Sequence, residues 1–166
     1  MDIFDFALKM ELDGEKYYRE LAEKVQYDDL KAALAGLAED EQRHYNIILA
    51  AKNKTLHLID ANLSLTKIKN IFGGNPAFLK DEDTAAKLRH EQIDVYRAAL
   101  AKEHESVELY TKLKETAQTS EEKAICEKLV QEEERHVEVL EDIIEMLNHV
   151  NDWVESAEFN LKEEKY

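Results

Sequence analysis

The stretch Asp40-Glu41-Gln42-Arg43-His44 recurs further along the chain as Glu132-Glu133-Glu134-Arg135-His136. In both copies a glutamate lies three residues before the histidine, and another glutamate, Glu11 or Glu103, lies thirty residues before that one. A single offset of 92 residues relates the two copies. Residues three apart share a face of an α-helix, so the glutamate and histidine of each copy can point into one interior. Two such copies form the ligand set of a two-metal site in a four-helix bundle.

The repeat extends beyond the motifs. The offset of 92 also relates identical residues elsewhere, among them Ala7 and Ala99, Tyr18 and Tyr110, Leu21 and Leu113, and Leu37 and Leu129. Two unrelated helix pairs would not keep one register without an insertion, so a duplicated helical hairpin is the simplest explanation. We predict a single domain over 1–166, with hairpin one at about 3–51, a crossover connection at about 52–83, hairpin two at about 84–147 and a tail at 148–166.

The composition is typical of long helices and excludes several classes of function. Charged residues make up 36% of the chain, which has only four glycines and one proline, whereas sheet proteins need more turn residues. The net charge of −15 argues against nucleic acid or an anionic membrane as a partner. No apolar run approaches the roughly 20 residues of a membrane span. The single cysteine and the acidic segment 1–5, which lacks the basic start of a secretion signal, favour a cytoplasmic protein.

Apolar residues at helical spacing predict four helices, at about 3–25, 29–51, 84–116 and 119–147. Their apolar positions include Phe6 and Met10 in the first helix, and Thr119 with Glu122 forms a capping-box signature at the start of the fourth. The second and third helices of such a bundle are parallel, so a long connection has to return along its length. In the tail, we expect Trp153 and Phe159 to pack on the bundle.

Sequence distances place the four glutamates at one level of the bundle. Gln26 is midway between Glu11 and Glu41 and falls in the first predicted turn. Gln118 is midway between Glu103 and Glu133 and falls in the second predicted turn. Four carboxylates at one level would bring a charge of −4 into a low-dielectric interior, which is costly unless cations compensate. Two divalent ions would neutralise that charge, and mixed oxygen and nitrogen ligands suit iron or manganese.

The opposing interpretation is that these are ordinary surface residues. One Glu-x-x-His in a chain with 37 acidic residues is weak evidence, but two copies at the same distance from an earlier glutamate are not expected by chance. Tyr18 and Tyr110 either hydrogen-bond a ligand carboxylate and orient it, or are core tyrosines. Gly14 and Ser106 either leave room for a small molecule or allow close helix packing. Cys126 is expected to be a small core residue. We expect Arg43 and Arg135 to pair with surface carboxylates. The histidines expected at the surface are His57, His90, His104 and His149.

Residues 11–22 and 40–44, together with 131–136 and the Glu103…Tyr110 spacing, resemble the rubrerythrin branch of the ferritin-like proteins. The resemblance covers about residues 4–148. It implies an all-α, ferritin-like four-helix bundle built from two duplicated antiparallel hairpins with a long crossover connection. It also implies a di-iron centre that reacts with hydrogen peroxide or dioxygen. The ligands that it implies are Glu11, Glu41, His44, Glu103, Glu133 and His136.

The chain departs from rubrerythrins proper in two ways. These carry a rubredoxin domain with a four-cysteine iron, whereas this sequence has one cysteine, so electrons would come from an external donor such as a rubredoxin. They also carry an extra carboxylate on the third helix, and the position three after Glu103 is Ser106. We expect two iron ions, with manganese or a mixed pair as the alternative, and a homodimer.

Three functions are weighed on these features. The first is a di-iron oxidoreductase that reduces peroxide or dioxygen, and the rubrerythrin-like residues around the ligands favour it. The second is ferritin-like oxidation, binding or storage of ferrous iron, which predicts a hollow cage. The third is a helical interaction module without metal, which does not account for four carboxylates at one level.

Overall fold

The computed structural model describes residues 3–26, 28–54 and 93–163. It contains four helices, α1 at Ile3–Lys24, α2 at Asp28–Lys52, α3 at Ile93–Thr116 and α4 at Ser120–Glu163. The described ranges contain no strand, so the all-α class predicted from composition is confirmed. The predicted crossover from residue 55 onward and the predicted start of the third helix at 84 lie outside the described residues.

Two short turns fold these helices into two hairpins, in which α1 packs along α2 and α3 packs along α4. Asp28 and Asp29 open α2, where carboxylates interact favourably with the positive end of the helix dipole. The predicted capping box at the start of α4 is confirmed. Thr119 Oγ1 accepts a hydrogen bond from the backbone N–H of Glu122 at 3.1 Å, and Glu122 Oε2 accepts one from the backbone N–H of Thr119 at 3.2 Å.

Apolar side chains form two buried clusters, one at each end of the bundle. The first contains Leu34 from the first half of α2 and Ile93 from the start of α3. The second contains Ile47 from the end of α2 and Leu113 from the end of α3. Because the ends of α2 and α3 pack in one cluster, these two helices run parallel, as the sequence predicts. None of the helices, over the ranges described, combines the length and apolar character needed to cross a bilayer.

The buried face of α1 includes Glu11, as predicted, but not Phe6. Phe6, predicted as an apolar position of the helix, is 49% exposed, and Met10 is only partly buried. The helix instead buries a stripe one position away, formed by Ala7, Glu11, Tyr18 and Ala22. The reason is that α1 turns Glu11 inward, and residues on that face follow it into the interior. Phe6 is left at the edge that borders α3.

The predicted end of the fourth helix at Leu147 is wrong, since α4 continues without interruption to Glu163. Residues 148–163 contain neither glycine nor proline, so nothing in the backbone stops the succession of helical hydrogen bonds. The predicted packing of Trp153 and Phe159 concerns side chains outside those that the structure describes.

Candidate metal centre

The level between the two apolar clusters holds all six predicted ligands. Each helix contributes to it, α1 and α3 with one glutamate each and α2 and α4 with one Glu-x-x-His pair each. All six residues are buried, each with at most 4% of its surface exposed; they are Glu11, Glu41, His44, Glu103, Glu133 and His136. Charged residues are almost never buried to this extent unless they are paired or bind a metal.

The six residues form two overlapping groups of potential ligand atoms. One group contains Glu11, Glu41, His44 and Glu133, and the other contains Glu41, Glu103, Glu133 and His136. Within each group one ligand atom from every residue lies within 4.8 Å of the others. That separation matches a first coordination shell whose bonds are about 2.0–2.2 Å long. Glu41 and Glu133 belong to both groups, so each carboxylate can bridge two ions.

Buried polar atoms without a hydrogen-bond partner show that these groups fit a metal. In the described structure, both carboxylate oxygens of Glu11 and of Glu133 are buried without a partner, as are Nδ1 of His44 and Nδ1 of His136. His44 Nδ1 lies 3.0 Å from Glu133 Oε1, but neither atom has a hydrogen-bond partner in the described structure. Oxygen and imidazole nitrogen atoms of this kind are ligands for iron and manganese.

A second layer of carboxylates, not predicted from the sequence, holds the two histidines. His44 Nε2 donates to Glu132 Oε2 at 2.7 Å, and His136 Nε2 donates to Asp40 Oδ2 at 3.1 Å. A carboxylate can only accept, so each Nε2 carries the proton and each Nδ1 is left to face the metal groups. We call Asp40 and Glu132 the outer carboxylates. They are related by the offset of 92, which is the signal that could have found them.

Arg43 ties the two outer carboxylates together. Its Nη2 donates to Asp40 Oδ1 at 2.8 Å and also to Glu132 Oε2. The prediction that Arg43 pairs with surface carboxylates is wrong, because both of its partners are buried and its own side chain is only 27% exposed. Its repeat counterpart Arg135 is exposed, as predicted. One guanidinium from α2 therefore supports both histidines, and this breaks the symmetry of the duplication.

The two tyrosines of the repeat are both buried but have different partners. Tyr18 Oη donates a hydrogen bond to Glu103 Oε1, so α1 holds a carboxylate of α3. Symmetry would pair Tyr110 with Glu11, but Tyr110 Oη has no hydrogen-bond partner in the described structure. Tyr18 therefore has the geometry of a residue that orients a ligand carboxylate, whereas Tyr110 is placed as a core tyrosine in the second apolar cluster.

The electrostatics of the centre without metal reflect this crowding. Burial raises the pKa of Glu11 well above its usual range, and neighbouring carboxylates raise it further. The pKa of Glu103 is raised to about 8, again by burial and then by a neighbouring carboxylate. Burial alone would lower the pKa of His44 and His136, but the carboxylates around them outweigh it and raise both well above their usual value. In the metal-free centre, bound protons therefore reduce the repulsion among the carboxylates, which bound cations would otherwise reduce.

A cavity of about 360 Å³ leads to the centre from the side of α1 and α3. Gly14 and Ser106 both line it, and its lining reaches Glu41 and Glu103. A Cβ atom on Gly14 would lie 3.4 Å from Glu41 Cδ, so the glycine brings α1 close to that carboxylate. Gly14 therefore lines the cavity and also lies close to Glu41.

The remaining predicted positions agree with the structure where they are described. Cys126 is half-buried against the second apolar cluster, where burial raises the pKa of its thiol. Both His104 and His149 are exposed, whereas His57 and His90 lie outside the described residues. Ser106 donates a hydrogen bond to the Lys102 carbonyl at 3.1 Å. Ser106 is thus a hydroxyl, not a carboxylate, at the position three after Glu103. Glu103 is the one buried acidic residue in the described part of α3.

Comparison with known proteins agrees with this geometry. A hypothetical protein from Pyrococcus furiosus has a similar fold, with a TM-score of 0.66 over 89% of each chain and 22% sequence identity. No protein of curated function matches the sequence. The family model for rubrerythrin matches residues 2–144. That match spans most of the chain, including both copies of the repeat, and the chain therefore belongs to the rubrerythrin family.

Proposed function

We propose that this protein is a di-iron oxidoreductase that reduces hydrogen peroxide or dioxygen with electrons from an external donor. One observation carries the proposal. Two groups of buried ligand atoms share Glu41 and Glu133, and several of these atoms have no hydrogen-bond partner in the described structure. The carboxylates of Glu11, Glu41, Glu103 and Glu133 together carry a charge that two divalent ions would offset, and a mixture of oxygen and imidazole ligands suits iron.

In this proposal each inner residue has a defined role. Glu41 and Glu133 belong to both groups and would help to hold both ions. Glu11 with His44 would hold one ion, and Glu103 with His136 would hold the other. Bound iron supplies the electrons that reduce the oxygen–oxygen bond. The outer carboxylates hold the imidazole rings with Nδ1 facing inward, and Tyr18 fixes the orientation of Glu103. Residues so fixed need little rearrangement when the substrate binds.

Substrate access supports an enzyme over a closed structural site. On the side of α2 and α4 the centre is covered by Arg43 and the outer carboxylates. On the side of α1 and α3 it borders the cavity, whose lining includes Glu41, Glu103 and Tyr18. Peroxide can therefore approach from one side while the histidine supports on the other side remain in place.

The electron donor in this proposal is a separate protein. The sequence has one cysteine, Cys126, so these 166 residues cannot form the four-cysteine iron site of a rubredoxin. A rubredoxin is the kind of one-electron carrier that would serve, and we propose that the protein acts as a homodimer.

Iron binding and oxidation together test the proposal. The purified chain, loaded anaerobically with Fe²⁺, should bind two irons per chain, and hydrogen peroxide should oxidise them much faster than dioxygen in stopped-flow measurements. Turnover should require a rubredoxin and its reductase. A saturating stoichiometry of zero or one iron would overturn the proposal. So would a large cage on size-exclusion chromatography that takes up hundreds of irons per chain, because that behaviour indicates storage.

A further inference from the structure

We propose that the cavity between α1 and α3 binds the organic part of an alkyl or aryl hydroperoxide, so that the substrates of the centre include compact organic hydroperoxides. This inference rests on the proposed function and specifies its substrate class. The cavity has a volume of about 360 Å³. A site for a water-sized molecule needs only a small fraction of that space, whereas pockets for small organic ligands occupy about 300–1,000 Å³.

The walls and the inner end of the cavity differ in chemistry. Phe6, Met10 and Tyr17 of α1 and Ala98 and Ala99 of α3 form apolar walls. The inner end is polar, because Glu41, Glu103 and Tyr18 lie there. Apolar walls with a few polar groups at one end select a molecule with an apolar body and a polar head. A hydroperoxide has this form, and its reactive head would lie at the end nearest the centre.

Two residues with small side chains line the cavity. Gly14 and Ser106 occupy equivalent positions of the repeat, each three residues after a glutamate of the centre, and both line the cavity. Phe6 is 49% exposed although it is a large apolar residue. Its position on the wall gives that exposed surface a role, since an apolar ligand would cover part of it.

The charges at the outer part of the cavity do not favour an acidic substrate. Its lining contains Lys9 and Lys102 but also Asp13 and Glu105. Lys102 Nζ donates a hydrogen bond to Glu105 Oε2 at 2.9 Å, so one lysine is already paired with a carboxylate. The lining has equal numbers of basic and acidic residues at this level, and a neutral organic molecule suits it better than a fatty acid or an organic phosphate.

The reaction balances with the electrons of the proposed function. A hydroperoxide ROOH takes up two electrons and two protons, its oxygen–oxygen bond breaks, and the products are the alcohol ROH and one water molecule. The electrons come from the two ferrous ions, and an external one-electron carrier protein restores them. The organic group leaves as an alcohol that retains the apolar body, so the same cavity should bind that alcohol.

Binding can be measured without turnover by using the alcohol product as a probe. The full chain is loaded with redox-inert Zn²⁺, labelled with ¹³C at the methionine methyl groups and titrated with 2-phenyl-2-propanol, the product from cumene hydroperoxide. Met10 lines the cavity, whereas Met146 is buried in the first apolar cluster. The Met10 methyl resonance should shift and saturate, and the Met146 resonance should not.

Two matched substitutions locate the effect. Ala98 is exposed and lines the cavity, and Ala101 is exposed on the same helix but does not line it. Ala98→Trp should abolish the Met10 shift and lower kcat/KM for cumene hydroperoxide, relative to that for hydrogen peroxide, by about tenfold or more. Ala101→Trp should leave the shift and the ratio as they are in the unmodified protein.

The outcomes separate the two proposals. If the iron-loaded protein reduces hydrogen peroxide but the Met10 resonance does not shift, or Ala98→Trp leaves the ratio unchanged, the organic substrate is wrong and the di-iron function stands. If hydrogen peroxide, the organic hydroperoxide and dioxygen all remain unreduced, the proposed function fails. A saturable shift of Met10 that Ala98→Trp removes, together with the fall in the ratio, supports the organic hydroperoxide as substrate.

Discussion

Asp40 and His136 come from different hairpins and are joined by a hydrogen bond of 3.1 Å between Oδ2 and Nε2. The equivalent bond in the other direction joins Glu132 and His44 at 2.7 Å. Each copy of the duplicated motif therefore supplies the outer carboxylate that holds the histidine of the other copy. Neither hairpin contains a complete half of the centre, so assembly of the bundle and assembly of the site are one event.

Removing an outer carboxylate should weaken metal binding through its histidine. Asp40→Ala leaves His136 Nε2 without its acceptor, and the loss of such a support lowers metal affinity by about 10–100-fold. We expect this loss in one of the two sites, measured by competition with a chelator. The exposed neighbour Glu39 provides the control, since Glu39→Ala removes the same charge from the chain without touching a histidine. Equal affinities for the two variants would contradict the prediction.

The two arginines of the repeat should differ in their effect on stability. Arg43→Gln removes hydrogen bonds to two buried carboxylates, and a bond to a charged group contributes about 1.5–3 kcal/mol. Because Arg43 is partly exposed, we expect a loss of about 1–2 kcal/mol in the free energy of unfolding, measured by urea denaturation. Arg135→Gln, at the exposed equivalent position, should change it by less than about 0.5 kcal/mol. Similar losses for both variants would show that the pairing of Arg43 is unimportant.

Substitutions of the two tyrosines should also differ in their effect on stability. Tyr18→Phe removes the hydroxyl that donates to Glu103, and we expect the metal-free protein to lose about 1–2 kcal/mol of stability. Tyr110→Phe removes a buried hydroxyl with no partner in the described structure, so its effect should be near zero or slightly stabilising. Urea unfolding of the two variants side by side tests this difference. A larger loss for Tyr110→Phe would contradict it.

Metal-free protein should become less stable as the pH rises from about 6 to 8.5. The pKa of Glu103 is raised to about 8, and the pKa values of Glu11, His44 and His136 are also raised. In each case the folded state keeps a proton that the unfolded chain has released, so the free energy of unfolding falls with rising pH. The lowered pKa of Glu133 acts in the opposite direction but only at acidic pH, below its unfolded value.

Urea midpoints across this pH range test the prediction. Metal-loaded protein serves as the control, because bound ions replace the protons and should flatten the dependence while raising the melting temperature. If the urea midpoint of the metal-free protein instead rises with pH, the prediction is wrong.

The repeat explains how much of the structure could be predicted from the sequence. An offset of 92 residues with no insertion sets which residues share a helix face and how far each lies from its turn. Those two quantities place Glu11, Glu41, Glu103 and Glu133 at one level. They depend only on helix geometry, so the described bundle and the convergence of the six residues could be inferred from spacing alone.

The same reasoning fails where position depends on a neighbouring helix. The position of Phe6 and the cavity beside it depend on how α1 is rotated toward α3. Arg43 and Arg135 have the same place in their motifs, yet one ties the outer carboxylates together and the other is exposed. Tyr18 and Tyr110 differ in the same way.

Sequence alone thus determined the order of the helices, apart from the extent of α4, and the common level of the four inward glutamates, because these follow from local periodicity. Tertiary structure decided which outer carboxylate holds which histidine, which arginine joins them and which side of the centre is open. The physical reason is that a hydrogen bond requires its two atoms to lie about 3 Å apart. The spacing of residues along a helix sets only the face of the helix on which a side chain lies. The partner that it meets depends on the packing of helices that are distant in sequence.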